Sequence, residues 1–143
     1  MMKLELVALD GIKFMADAYS VVLPTAAGEI TVLPGHEPLL SLLVPGVITI
    51  RKKKTDDDYH LEHFATYGGV LKIMPDGVHV LVDEATHSDE INEAEARKAH
   101  EKAIELHKGA KNKIELSQAQ ALIDRHAVRL HVAELHRRHR ERR

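Results

Sequence analysis

Histidine is the first residue type to weigh for chemistry, because eleven of the 143 residues are histidines. His60-Leu61-Glu62-His63 places two imidazoles and a carboxylate within one short run, and these are donors that hold zinc and similar ions. On an extended strand, though, His60 and Glu62 face one side and His63 the other, so the run is expected to hold no metal. His126, His131, His136 and His139 contain one i,i+3 pair, His136 with His139, but no His-Glu-x-x-His arrangement, and read as solvated helix surface. His36 lies in a tight Pro-Gly turn and reads as a partner of that turn's own backbone. Gly68-Gly69 has neither a Gly-Lys-Ser/Thr ending nor a Gly-x-Gly-x-x-Gly spacing, so no phosphate loop is recognised. The absence of cysteine excludes disulfides, thiolate metal sites and cysteine nucleophiles. No Ser/His/Asp set stands out, and nothing in these residues argues for an enzyme.

The arginines carry the second signal. The formal net charge is −2, yet residues 114–143 hold seven arginines against four acids, a local charge of +3. Arg125, Arg129, Arg137, Arg138 and Arg140 are therefore candidates for contact with an acidic partner surface. The alternative is a free-standing module that binds nucleic acid through the same basic terminus. Against it, tryptophan is absent and aromatics are 3% of the chain, which leaves no stacking platform for single strands. No apolar run approaches the roughly 20 residues that span a bilayer. The start, Met1-Met2-Lys3-Leu4-Glu5, lacks the apolar core of a signal peptide, so a soluble cytoplasmic protein is expected.

Two architectures must position these residues. Residues 1–86 break into short apolar runs punctuated by Asp10-Gly11, Pro34-Gly35, Pro45-Gly46, Gly68-Gly69 and Asp76-Gly77. Each Pro-Gly is read as a sharp reversal, because proline fixes φ and glycine permits positive φ. Leu39 to Val44 and Val47 to Ile50 then count as separate strands, as do Tyr59 to Thr66 and Val70 to Met74. The sum is nine or ten short strands, which suits a small antiparallel sandwich. Arg51 to Asp58, four cations and three anions around one threonine, reads as a solvated hairpin tip with mutually attracting arms.

After Ala85 the period changes to helical. Glu90 to Lys108 carries Ala96, Ala99, Ala103 and Leu106 on one stripe, with Asn92 and Glu95 as a capping box and Gly109 as the stop. A second helix from Ile114 to about His136 carries Leu116, Ala119, Ile123, Ala127 and Leu130, widened by Ala121, Val128, Val132 and Leu135. The short link between them implies an antiparallel hairpin over residues 87–143. Its alanine seam should hold weakly, since each buried CH₂ contributes only ~0.8 kcal/mol. The fold class is α+β: a ten-stranded antiparallel sandwich, then a two-helix hairpin.

GEITVLPGHEPLL followed by LVPGVITI (Gly28 to Ile50) resembles the signature turn of the epsilon subunit of the bacterial F-type ATP synthase. Gly68-Gly69-Val70 and Val80 to Ala85 are similar to that family's last sheet hairpin, and Arg129 to Leu135 to the end of its second helix. One departure is Thr31, where the signature usually has glycine. The resemblance implies a non-catalytic rotor subunit on gamma and the c-subunit ring, peripheral on the cytoplasmic face of the bacterial plasma membrane. It would couple proton or sodium flow to ATP synthesis and restrain hydrolysis by extending its hairpin towards the alpha/beta catalytic subunits. It assigns Glu29, Pro34, Gly35 and His36 to the c ring. It implies no resident cofactor. Some members bind ATP as a regulatory ligand through an Ile/Leu-Asp-x-x-Arg-Ala run. Here Ile91 and Asn92 open that run, Glu95 replaces its arginine, and Arg125 and Arg129 match second-helix arginines of those members.

Overall fold

The computed structural model of the chain describes residues 1–142, and Arg143 lies outside the described residues. Eight strands come first: β1 (Met2–Ala8), β2 (Gly11–Ala18), β3 (Ser20–Thr25), β4 (Gly28–Val32), β5 (Leu39–Arg51), β6 (Glu62–Met74), β7 (Gly77–Val82) and β8 (Ala85–His87). Two helices follow, α1 (Glu93–Lys108) and α2 (Lys113–Glu141). The strands are ordered β2-β1-β7-β6-β5-β3-β4, with β8 beside β6. All pairs are antiparallel except β1 with β7, which run parallel from Leu4↔Val78 to Val7↔Leu81.

The count is eight rather than ten because two of the expected breaks lie inside strands. Pro45-Gly46 pairs continuously with Tyr67 and Thr66, so β5 runs through it. Gly68 and Gly69, at φ 126° and 159°, sit within β6. Both long strands serve two layers: the first half of β6 pairs with β8 and its second half with β7. Glycine at 46 answers a contact and not a turn, since a Cβ there would stand 2.6 Å from Pro24 Cβ. Pro34-Gly35, by contrast, is a true reversal. His36 N–H donates to the Leu33 carbonyl at 3.1 Å across Gly35 at φ 84°, as a type II turn requires.

Alternation places Leu4, Leu6, Val78, Val80, Leu71 and Ile73 from one layer against Val21, Leu23, Ile48, Ile50 and Phe64 from the other, all buried in one core. The remaining faces of the two layers differ sharply. Val47, Ala65 and Tyr67 form a second apolar cluster with Ile91, Ala96, Val128, Val132 and Ala133 of the helical part. The opposite layer has no such cover.

Asn92 caps α1 by accepting from Glu95 N–H at 3.0 Å, and Asn112 caps α2 by accepting from Glu115 N–H at 2.8 Å. Glu90, expected to open the first helix, belongs instead to a separate 3-10 turn, Ser88–Glu90. Gly109 ends α1 at φ −88°, so it stops the helix without adopting the left-handed C′ conformation. Ala96 and Ala103 are buried in the interhelical seam, whereas Leu106, expected on the same stripe, is exposed. It lies near the free end of the hairpin, where the sandwich offers no surface to cover it.

Candidate functional site

Three arrangements could do work: the seam where α2 lies on the sandwich, the uncovered sheet face, and the Pro34-Gly35 turn.

In the seam, Arg125 and Arg129 come together around Glu84. Arg125 pairs with Glu84 at 2.5 Å and lies 4.2 Å over the Tyr67 ring. Arg129 stands 3.9 Å from the same carboxylate and donates to Tyr67 Oη and Thr86 Oγ1 at 3.4 Å each. Ile91 is buried nearby in the apolar cluster, and Asn92 spends its side-chain oxygen on the cap. His126, next to Arg125, has a buried Nδ1 without a partner, and its pKa is lowered by burial and by Arg125 and Arg129. Further along α2, Arg137 pairs with Glu93 at 3.1 Å, so three of the five candidate arginines are held internally. Arg138 and Arg140 are exposed.

The histidines are arranged differently from the expectation. His60 lies on a 3-10 turn, Asp58–His60, and not on a strand; its Nδ1 sits 2.6 Å from Asp57. Glu62 is held by Lys52 at 2.6 Å and by His87. Burial raises the Glu62 pKa, but the hydrogen bonds from Lys52 and His87 more than offset it and leave it lowered. His63 is buried on the other side of β6, with Nδ1 3.1 Å from Thr49 Oγ1. Among the described residues no three His, Asp or Glu side chains gather closely enough for one ion. His136 and His139 are not solvated helix surface: both are half-buried, and the His139 ring packs 5.3 Å from that of His63. Single-strand periodicity could not find this contact, because α2 must first dock.

The loop read as a hairpin tip does hold its arms together by charge. Arg51 pairs with Asp58 at 3.2 Å and also donates to the Asp56 carbonyl.

The uncovered face belongs to β5, β6, β7, β1 and β2. Register aligns Leu42, Val70, Leu81, Val7 and Ile12 in one cross-strand row. Leu42, Leu81 and Ile12 are 65%, 56% and 59% exposed, and Leu40 and Met15 extend the patch. Large apolar side chains contiguous across five strands mark a docking surface. Sequence patterning missed it, because alternation tells which residues share a face but not whether that face is covered.

At the turn, Pro34, Gly35 and His36 are exposed and line a cleft of about 370 Å³ with the start of β1 and the β6–β7 connection. His36 Nδ1 lies 2.7 Å from the Glu37 carbonyl. Glu29 is exposed on β4 opposite Pro24 and does not line that cleft.

A sandwich with one outer face sealed by its own helices and the other left apolar defines a docking protein with a helical appendage. The sequence profile of "ATP synthase, Delta/Epsilon chain, beta-sandwich domain" matches residues 1–88. The ATP synthase epsilon chain of Bordetella parapertussis is 36% identical over 117 residues, covering 82% of this chain and 81% of that one. ATP synthase epsilon chain 2 of Ralstonia nicotianae is 34% identical across 98% of both chains, helices included. In fold, the chain resembles a chain of the Euglena gracilis mitochondrial ATP synthase (OSCP/F1/c-ring). That match has a TM-score of 0.79 at 21% identity and covers 93% of this chain and 80% of that one. The central stalk/c-ring structure of the Tetrahymena thermophila enzyme gives 0.59 at 15% identity, covering 92% of this chain and 96% of that one. The chain belongs to the ATP synthase delta/epsilon family, as a bacterial F-type epsilon subunit. No helix among the described residues is long and apolar enough to cross a membrane.

Proposed function

We propose that the chain is a non-catalytic rotor subunit that docks on gamma and the c ring, couples proton flow to ATP synthesis, and restrains ATP hydrolysis through its helices. The observation that carries this reading is the apolar row Leu42–Val70–Leu81–Val7–Ile12. A rotor subunit must stay attached under torque, and a wide apolar patch on a stiff sheet suits that task. In this reading the row meets gamma, while Pro34, Gly35 and His36, with Glu29, meet the polar loops of the c ring. The chain is then peripheral on the cytoplasmic face of the bacterial plasma membrane, held there by the complex.

Extension of the hairpin requires Arg125 and Arg129 to leave Glu84, and Arg137 to leave Glu93. Arg125, Arg129, Arg137, Arg138 and Arg140 are then free for an acidic surface of alpha and beta. ATP as a regulatory ligand would meet Arg125 and Arg129, beside Ile91 and Asn92, in competition with Glu84.

Co-purification with gamma from the same cells tests the reading. The wild-type chain is expected to co-elute, and the Leu42→Asp/Leu81→Asp double variant to be lost from the complex while remaining folded. Retention of that variant would remove the row from the interface; a wild-type chain that never joins a rotary complex would sink the whole proposal. Removing residues 137–143 should raise ATP hydrolysis by the assembled complex without impairing assembly, and unchanged hydrolysis would refute the tail's part in restraint.

A further inference from the structure

The uncovered sheet face carries one charge, near its middle, that the chain leaves unmatched. Two residues along the strands from the apolar row, register aligns Leu40, Lys72, His79, Glu5 and Met15. Along β6, Val70 and Met74 flank Lys72 on the same face, and Leu42 and Leu81 lie diagonal to it. Lys72 is exposed, so its ammonium stands over a largely apolar surround with His79 on one side.

Its neighbours in charge have counterparts within the chain. His79 Nδ1 lies 3.2 Å from Glu5 Oε2 in the same row, and Lys3 is the register partner of Asp17 in the next. Among the described residues, no carboxylate lies within ion-pair distance of Lys72. A lysine on an edge strand guards against pairing with a stray chain. That reason does not apply here, because β6 is central, between β5 and β7. While the face is open, water solvates the ammonium. Under a protein partner it loses that water, and a buried charge without a counter-ion is strongly unfavourable.

We infer that the surface covering this face presents a carboxylate to Lys72, and that the pair selects the partner and fixes its register on the apolar row. The pairing rests on the docking of gamma proposed above and gives it a chemistry: an acidic side chain of gamma, set among apolar ones, opposite the middle of β6. The apolar row supplies area without direction. One desolvated ion pair supplies direction, because a partner that slides along the strands, or lacks the acid, leaves the ammonium unpaired.

The test is to titrate the rotary complex, stripped of this chain, with full-length wild-type and variant chains. Lys72→Met keeps the length of the stem and removes the charge. It leaves the partner's acid buried and unpaired, so attachment should weaken at least about tenfold. Lys72→Glu sets like charges together and should weaken it further, whereas Lys72→Arg should keep most of the affinity. The position is exposed, and unchanged urea midpoints check that each variant folds. Leu42→Asp/Leu81→Asp reports on the docking reading separately. If that double variant is lost while Lys72→Met attaches as tightly as the wild type, gamma docks on this face but offers no carboxylate, and the pairing is overturned. Equal weakening by Met and Arg would also overturn it, since shape and not charge would then decide. Retention of the double variant would overturn the docking reading and the pairing together.

Discussion

The two outer faces of the sandwich both carry apolar side chains and end in opposite states. On one, Val47, Ala65 and Tyr67 are small or half-polar, and α2 seals them with Val132 and Ala133. On the other, Leu42, Leu81, Ile12 and Leu40 are larger and more apolar, yet solvent reaches them. If burial alone decided where the helices rest, they would lie on the larger face, since apolar area removed from water contributes about 25 cal/mol per Å². The polar groups of the sealed side supply the missing preference: Glu84 for Arg125 and Arg129, His63 beside the His139 ring, Tyr67 beneath Arg125. The lesson is that the internal interface is specific and thin, while the external one is broad and left for another chain.

The largest effects should come from placing the same charge on each face. Ala65→Asp buries a carboxylate at a fully enclosed position and should cost at least about 3 kcal/mol in urea unfolding. Leu81→Asp, at a 56% exposed position, should change stability by no more than about 0.5 kcal/mol and yet weaken attachment to gamma. Equal destabilisation by both substitutions would break the contrast. So would full attachment of the Leu81→Asp chain.

Acid sharpens the same contrast, because it acts on the sealed face. Burial, and then repulsion from His139 and His87, hold the His63 pKa down to about 4, against 6.5 for an ordinary histidine. His131 adds to the lowering, and Glu62 opposes it. The folded chain therefore binds fewer protons at this site than the unfolded chain between these values, so stability falls as pH drops through that window. The full loss attributable to this group is about 3 kcal/mol, reached near pH 4. His63→Gln should flatten that part of the urea-midpoint profile. A variant profile as steep as the wild type would assign the acid sensitivity elsewhere.

How much of this was legible beforehand depended on how local the cause was. Pro34-Gly35 reads correctly as a turn because its requirements, fixed φ then positive φ, are satisfied within four residues. The same dipeptide at Pro45-Gly46 misleads, because there the glycine answers to Pro24 on a neighbouring strand. The Asn92 cap and the helical periods are local signals, and both helices form, although α2 runs on to Glu141. The His63–His139 contact and the Glu84 pairing join residues from distant parts of the chain and depend on where α2 lands. Family resemblance marked Arg125 and Arg129, but nothing in their spacing named Glu84 as the acid that holds them.

The smallest effect is the most informative about the thin interface. Glu84 is 44% exposed at its side chain and Arg125 38%, so solvent screens the pair and its contribution is modest, about 0.5 kcal/mol. Glu84→Gln keeps the shape while removing the charge that Arg125 and Arg129 share. If those contacts bias the helices towards the sealed face, amides of residues 113–141 should exchange about twofold faster, with the β-core unchanged. Acceleration in both regions would mean that hairpin and sandwich open as one unit. No acceleration in either would shift the burden of holding α2 to Val132, Ala133 and the His63–His139 ring contact.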